Sequence, residues 1–277
     1  MLIKFDKMQA LGNDFIMIDM NQFSKEPLFD DFFFSNISNR NYGVGCDLTV
    51  LYKLRHDDIY AEFFNSDGSG AEICGNAARC LGVLMKKRNR FSKCTLKTAK
   101  KDYPISVNGT ICIKMGRPSF KLQDAGVSKS VASSSALMDE LSLPADIGVY
   151  HAVCISVGNP HLVLFCKCLP EEKEVIALGD LLGNHSLFEN RINVSFAHVV
   201  SESEITTIVY ERGVGLTKAC GSGACATAAA AFAHNIVLSR NVLVKQKGGT
   251  LIISRDSDGN IFQSGPAFLV FSGEIEI

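Results

Sequence analysis

The chain has 277 residues, of which 47% are apolar and 21% charged, and its formal net charge is -1. That length accommodates two domains of ordinary size or one large one, and the composition is that of a soluble globular protein. A balanced charge gives no reason to expect nucleic acid or an anionic membrane as partner.

The opening segment, Met1 to Phe15, carries Lys4, Asp6 and Lys7 and no long apolar stretch, which argues against a secretory signal or membrane anchor. Even the alanine-rich stretch 224–233 is too short for a membrane span, so a cytoplasmic location is expected. Segments 2–6, 14–19, 47–53 and 59–64 are short, rich in Val, Ile, Phe and Tyr, and bounded by turn residues, so strands are predicted there. An apolar helix is predicted over 76–87, and the basic run Lys86 to Arg90 reads as its solvated end. The stretch 119–147, rich in Ser, Ala and Lys with Pro118 and Pro144 near its ends, is expected to mark a join. Strands follow over 151–157, 161–166, 193–199 and 205–210, then a helix over 222–236. Both helices are apolar around most of their circumference, so each is expected to be enclosed by its own strands. The last segment, Phe268 to Ile277, reads as a strand, and pattern alone does not say which part of the chain it completes.

The chain repeats itself. Leu11-Gly12-Asn13-Asp14-Phe15 precedes an apolar run, as does Val157-Gly158-Asn159-Pro160-His161, and Gly12 and Gly158 are 146 residues apart. Cys74-Gly75-Asn76-Ala77-Ala78 and Cys220-Gly221-Ser222-Gly223-Ala224 stand at the same separation of 146. Asn65 and Glu211 share it, as do Asp47 and Asn193. Two motif pairs on one offset imply a duplicated domain.

Cys74 and Cys220 each stand at the start of a predicted helix, where unpaired backbone N–H groups and the positive end of the dipole meet. The dipole lowers a thiol's pKa and the same N–H groups can hold a carboxylate. Two such sulfurs facing one cleft from opposite sides would let one remove a proton from a carbon while the other returns one, inverting its configuration. They could also form an inactivating disulfide. A lone Cys-Gly would be a structural residue; its matched placement points to chemistry. Cys46, Cys80, Cys94, Cys112, Cys154, Cys166, Cys168 and Cys225 read as core thiols. Ten cysteines without a signal are expected to be reduced. No cofactor or metal is expected: Cys166 and Cys168 lack a ligand cluster, and Gly221-Ser222-Gly223 lacks the remaining residues of a nucleotide loop.

The chain resembles the diaminopimelate epimerases. The resemblance rests on the segments 11–15, 65–69, 74–80, 157–161, 191–194, 211–217, 220–226 and 265–267, spread over nearly the whole chain. It implies two pseudo-symmetric α/β domains, each a strand set wrapped around a central helix, with the active site in the cleft between them. The domains would be 1–118, to which the terminal strand 266–277 returns, and 119–265. Cys74 and Cys220 would be the catalytic acid/bases, supported by Glu211 and His161. Gly75, Asn76, Gly221 and Ser222 would bind the reacting carboxylate, and Asn13 and Glu211 the reacting amino group. Asn65, Asn159, Asn193 and Arg212 would hold the distal end of a small amino-acid substrate, with Arg212 able to pair a carboxylate in two-point fashion. A homodimer is implied.

Three positions depart from the family. Leu48 stands where many members carry Gln, or alternatively Gly; a Gln there can reach the reacting amino group, and Gln9-Ala10 replaces His-Gly. A racemase of the same fold acting on another amino acid, such as histidine, glutamate or proline, is therefore a second reading. A non-catalytic amino-acid-binding or thiol-sensing protein is a third.

Overall fold

The computed structural model describes residues 1–277 except Glu26, Glu72, 89–91, Asn108, 129–132, Pro144 and Ile277. Asn89 and Arg90 of the basic run, parts of the stretch 119–147, and the last residue of the terminal strand thus lie outside the described residues. The chain divides into two compact units, one of Met1–Lys114 with Ser264–Ile277, the other of Met115–Gln263.

The first unit contains β1 (Leu2–Ala10), β2 (Asn13–Asp19), α1 (Asp31–Ser38), β3 (Leu48–Arg55), β4 (Asp58–Asn65), β5 (Gly70–Ala71), α2 (Gly75–Lys87), β6 (Lys93–Lys97), β7 (Asp102–Ser106) and β8 (Cys112–Gly116), the last crossing its boundary. β1 pairs antiparallel with β2, β2 parallel with β3, and β3 antiparallel with β4. β4 runs parallel to β6 and antiparallel to β5, and β6, β7 and β8 follow antiparallel.

The second unit contains α3 (Ser134–Glu140), β9 (Val149–Ser156), β10 (Pro160–Cys166), α4 (Glu172–Gly183), β11 (Asn193–Ser201), β12 (Glu204–Glu211), β13 (Gly215–Thr217), α5 (Gly221–Ala233), β14 (Asn241–Gln246), β15 (Gly249–Arg255) and β16 (Ile261–Ser264), which crosses the boundary. Its ladder repeats the first: β9–β10 antiparallel, β10–β11 parallel, β11–β12 and β12–β13 antiparallel, β12–β14 parallel, β14–β15 antiparallel. The terminal strand β17 (Phe268–Glu276) lies antiparallel on β1, from Leu2 opposite Glu276 to Gln9 opposite Phe268. The chain is a mixed α/β fold of two repeated halves.

Strands covered on both faces explain the near-continuous apolar runs. In β2, Ile16 and Ile18 join the cluster of Phe33, Phe34 and Ile37 from α1. Phe15 and Met17 alternate to the opposite face, against which α2 packs, and are buried as well. In the second unit Leu162, Leu164, Val194, Phe196, Ile208 and Tyr210 belong to the cluster of Val175 and Leu182 from α4. The alternate residues of the same strands face α5. That helix is buried around its circumference, Gly223 to Phe232 included, as expected of an apolar helix inside a strand layer. No helix among the described residues is long and apolar enough to cross a membrane.

Four local expectations change. α5 ends at Ala233 rather than at residue 236, because His234 caps it and Asn235 takes a left-handed conformation (φ 53°). α1 and α4 were not predicted. The stretch 119–147 is not a bare connection: Ala125, Val127, Leu137 and Leu141 are buried in the α4 cluster. The basic run is not simply solvated, since Arg88 pairs with Asp6 and Asp19 at 3.0 Å each and Lys86 donates to Gly109 O.

α4 approaches β12 at a glycine: a Cβ at Gly179 would lie 2.4 Å from Tyr210 Cγ. Gly179→Ala is expected to lower stability by about 1–3 kcal/mol, read by denaturant unfolding; unchanged stability would mean that α4 shifts freely on the sheet.

Candidate active site

Alternation along the strands decides which polar residues can meet the inner helices. In the first unit Asn13 and Asn65 share parity with Phe15 and Phe63, so they lie on the α2 face, opposite the α1-cluster residues Ile16 and Phe64. In the second unit Asn193 alternates with Val194, and Glu211 with Tyr210, so both lie on the α5 face, as does His161 beside Leu162. The candidate residues are therefore gathered, unit by unit, at the N-terminal ends of α2 and α5.

Cys74 is the N-cap of α2 and Cys220 the N-cap of α5, with near-identical extended backbones (φ -104°, ψ 116° and φ -116°, ψ 113°). In each helix the fourth residue on donates to the cysteine carbonyl, Ala78 N–H at 2.9 Å and Ala224 N–H at 3.0 Å. The N–H groups of Gly75, Asn76, Gly221 and Ser222 precede the first intrahelical bond, so helix geometry supplies them no acceptor.

In the first unit the Cys74 thiol donates to Asn13 Oδ1 at 3.6 Å. The Asn76 side chain is turned into the protein, where its Oδ1 accepts from fully buried Arg79 at 2.7 Å, while Arg79 also donates to Gly75 O. Asn76 can thus offer a ligand its backbone rather than its amide. Asn65 Nδ2 donates to Ser69 Oγ at 3.0 Å, holding the turn that follows β4. Leu48 lies between Phe15 and Asn65 in the ladder.

Behind Asn13 stands an ion network. Asp14 accepts from Lys7 at 2.7 Å and from both terminal nitrogens of Arg40 at 3.0 and 2.7 Å. Asp47 accepts from Arg40 at 2.7 Å and from Asn13 Nδ2 at 2.8 Å, and Lys7 also donates to Gly45 O. Burial pushes the Asp14 carboxyl upward, but the bonds from Arg40 and Lys7 and the Lys7 charge outweigh it and hold the group well below the usual carboxylate range.

In the second unit His161 is fully buried, with Nε2 3.1 Å from both Asn159 Oδ1 and Ser222 Oγ. Burial, with the Arg212 charge adding, pushes its pKa down to about 3, so the ring is neutral. Asn159 Oδ1 only accepts, so Nε2 carries the hydrogen, and Nδ1 has no partner among the described residues. Asn159 Nδ2 donates to Ser222 Oγ at 3.2 Å, which frees the Ser222 proton for Cys220 Sγ, 3.4 Å away. Gly223 N–H donates to the same sulfur at 3.3 Å. His161 thus reaches Cys220 through Ser222.

The Glu211 carboxyl accepts from Thr217 Oγ1 at 2.6 Å, and its charge bears on the Cys220 thiol. Burial, then the Glu211 charge, raises the Cys220 pKa well above the ordinary thiol value, against the opposing bonds from Ser222 and Gly223. This corrects the expectation that the helix dipole lowers it: in the absence of ligand, Cys220 is a thiol. Burial likewise raises the Glu211 pKa.

Asn193 is tied into the backbone at both ends of its amide, donating to Pro160 O at 2.7 Å and accepting from Arg212 N–H at 3.0 Å. The Arg212 side chain is anchored by Asn190 O at 3.0 Å. Three residues support the site without having been assigned a role, and two of them, Gln246 and Gln263, lie outside every motif. Gln246 accepts from Cys220 N–H at 2.9 Å and donates to Cys220 O at 3.1 Å; Gln263 donates to Gly221 O at 2.8 Å; Arg79 holds Asn76. Glutamine inside a strand pattern reads as surface, and only burial reveals its use. Among the described residues no group of three or more His, Cys, Asp or Glu side chains is placed to hold a metal ion.

The Glu211 charge raises the Cys220 pKa, so removing it lowers the barrier to thiolate formation. Glu211→Gln is expected to speed alkylation of Cys220 at pH 8 by about tenfold, followed by peptide mass spectrometry; an unchanged rate would mean that burial alone holds the proton.

A diaminopimelate epimerase family model matches residues 5–121 and 153–270. The chain is 37% identical to a diaminopimelate epimerase of Gluconobacter oxydans, covering 99% of each, and 34% identical to one of Rickettsia rickettsii, covering 98% and 97%. A diaminopimelate epimerase of Methanococcus maripaludis is 37% identical, covering 99% of this chain and 100% of that one. Among solved structures, a PhzF-family phenazine biosynthesis protein of Bacillus anthracis superposes with a TM-score of 0.68 at 17% identity, covering 100% of both chains. A hydroxyproline epimerase of Agrobacterium vitis gives 0.65 at 11% identity, covering 99% and 92%; these two show the fold alone. Sequence likeness over the full length, with a site built twice on one backbone plan, places this chain in the diaminopimelate epimerase family of isomerases.

Proposed function

We propose that the chain interconverts LL- and meso-diaminopimelate, a step of lysine biosynthesis, with Cys74 and Cys220 as its two acid/base groups. The observation that carries this reading is the matched N-cap cysteine at the start of each inner helix in a chain of this family. The N–H groups of Gly75, Asn76, Gly221 and Ser222, which open the two helices, hold the reacting carboxylate and stabilise the charge that grows as the α-proton leaves. Asn13 Oδ1 and the Glu211 carboxylate accept from the reacting ammonium. Asn65, Asn159 and Arg212 take the distal amino-acid end, and Asn193 contributes by holding the Arg212 backbone. His161 stays neutral and orders Asn159 and Ser222.

In one direction the thiolate of one cysteine removes the α-proton while the thiol of the other supplies one to the opposite face. In the direction that starts with Cys220 as the thiol donor, Cys74 gives up to solvent the proton it shares with Asn13 Oδ1 before it acts as the base. After the transfer the Cys220 thiolate meets the donors already aimed at the sulfur, Ser222 Oγ and Gly223 N–H. The reading requires both sulfurs to reach one α-carbon. It extends to domains of 1–118 with 266–277 and of 119–265, to a homodimer, and to a cytoplasmic enzyme that takes neither nucleic acid nor membrane as partner. Leu48 offers no hydrogen bond to the substrate, and this favours a substrate panel over diaminopimelate alone.

Purified, reduced protein in deuterated water is expected to place deuterium at one carbon of LL-diaminopimelate. Cys74→Ser and Cys220→Ser should each lower turnover by about 10²-fold or more. Full turnover by either variant sinks the two-base reading, and faster turnover of a single-centre amino acid replaces diaminopimelate as substrate.

A further inference from the structure

Asn13 can present either end of its amide to Cys74, and the two ends do opposite chemistry. An oxygen there accepts from a thiol or an ammonium; an NH2 group repels the ammonium and stabilises a thiolate. We infer that Asp47 is a positioning residue that decides this orientation, holding the Asn13 NH2 so that Oδ1 faces Cys74. The inference rests on the proposed reading of Asn13 and Cys74 as parts of the reacting site.

The geometry supports one orientation. Asp47 Oδ2 is 2.8 Å from Asn13 Nδ2 and 3.1 Å from Asp14 N–H, and Asp47 Oδ1 is 2.7 Å from Arg40. A carboxylate only accepts, so the Asn13 group beside it must be the donor. The remaining end, Oδ1, is the one at 3.6 Å from Cys74 Sγ.

Asp47 is itself held independently of Asn13. Its N–H donates to Asp14 O at 3.0 Å, and the preceding loop is stitched to the end of α1 by Val44 and Gly45 N–H on Ile37 O and by Cys46 N–H on Ser38 O. A Cβ at Gly43 would stand 2.1 Å from Asn36 O, so the loop closes on α1 without slack. Two cations, Lys7 and Arg40, meet two anions, Asp14 and Asp47, which makes the assembly neutral and fixes the Asp47 charge where Asn13 needs it. Strand alternation completes the device: Asn13 faces α2 while Asp14, its neighbour, faces the loop.

Asp47→Asn tests this with almost no change of shape. The single oxygen stays on Arg40, the charged donor, so the new NH2 takes the place of Oδ2 beside the Asp14 N–H and finds its acceptor in Asn13 Oδ1 once that amide turns over, pointing the Asn13 NH2 at Cys74. Alkylation of Cys74 and Cys220 is followed separately by peptide mass spectrometry across pH, beside steady-state kinetics with diaminopimelate. The expected result is a Cys74 midpoint lower by about one pH unit and a KM higher by about tenfold, with the Cys220 midpoint unmoved. Arg40→Gln removes a charge but leaves the Asp47–Asn13 bond, so its Cys74 midpoint stays within about 0.3 units of the parent. The exchanged pair Asn13→Asp with Asp47→Asn returns an oxygen to the sulfur and brings the midpoint back to the parent value or above it.

An unmoved Cys74 midpoint in Asp47→Asn overturns the inference. So does an equal and opposite shift in Arg40→Gln, which would show the field of the charges rather than the amide at work. If Asp47→Asn alone does not fold, the exchanged pair decides: a Cys74 midpoint below the parent's overturns it. The labelling does not depend on turnover, so retained epimerisation by Cys74→Ser would end the functional reading while leaving the labelling result to judge the amide.

Discussion

A helix sealed inside a strand layer spends every backbone donor on itself except those of its first turn. In α2 and α5 this leaves a few N–H groups at one end of a buried helix, and the cysteine at the N-cap stands beside them. The strands that enclose each helix present alternate residues to it, so only one parity of each strand can contribute to the site. Asn13, Asn65, His161, Asn193 and Glu211 satisfy that parity, while residues of the other parity, Ile16, Phe64, Leu162, Val194 and Tyr210, pack beneath the outer helices. Core packing and site construction are thus one pattern read on two faces.

The two units share a backbone plan but surround their sulfurs differently. Cys74 donates to a neutral amide oxygen whose orientation is set by a carboxylate, itself locked between Arg40 and the chain. Cys220 is buried beside a carboxylate whose charge keeps the proton on the sulfur, with two donors ready for the thiolate. A reaction that runs in both directions between stereoisomers needs two groups able to exchange roles, not two identical environments. The difference lies in side chains around the helix starts, not in the helix starts themselves.

Much of this was legible in advance because the repeat offset of 146 residues runs through the helix-start cysteines and the asparagine motifs. Strand alternation at Asn13 and His161 was readable for the same reason: apolar runs follow both. The supporting residues were not. Lys7, Arg40 and Asp14 look like ordinary surface charges, yet Lys7 is buried and Asp14 takes three bonds from cations. Gln246 and Gln263 hold the Cys220–Gly221 peptides from strands distant in sequence. The direction of the Cys220 pKa was misjudged because a helix dipole is a local property, whereas desolvation depends on everything packed around the sulfur.

By itself the sequence determined the duplicated α/β plan, the cysteine at each inner helix start and the family of the enzyme. These follow from local periodicity and from motifs whose residues are near one another in the chain. Only the tertiary structure decided that the terminal strand, expected to return to the first half, takes β1 as its partner, that Asp47 and Arg40 stand behind Asn13, and that Cys220 rests as a thiol. Strand pairing, ion networks and burial join residues far apart in the chain, and no local pattern records which distant partner a strand edge or a charge will find.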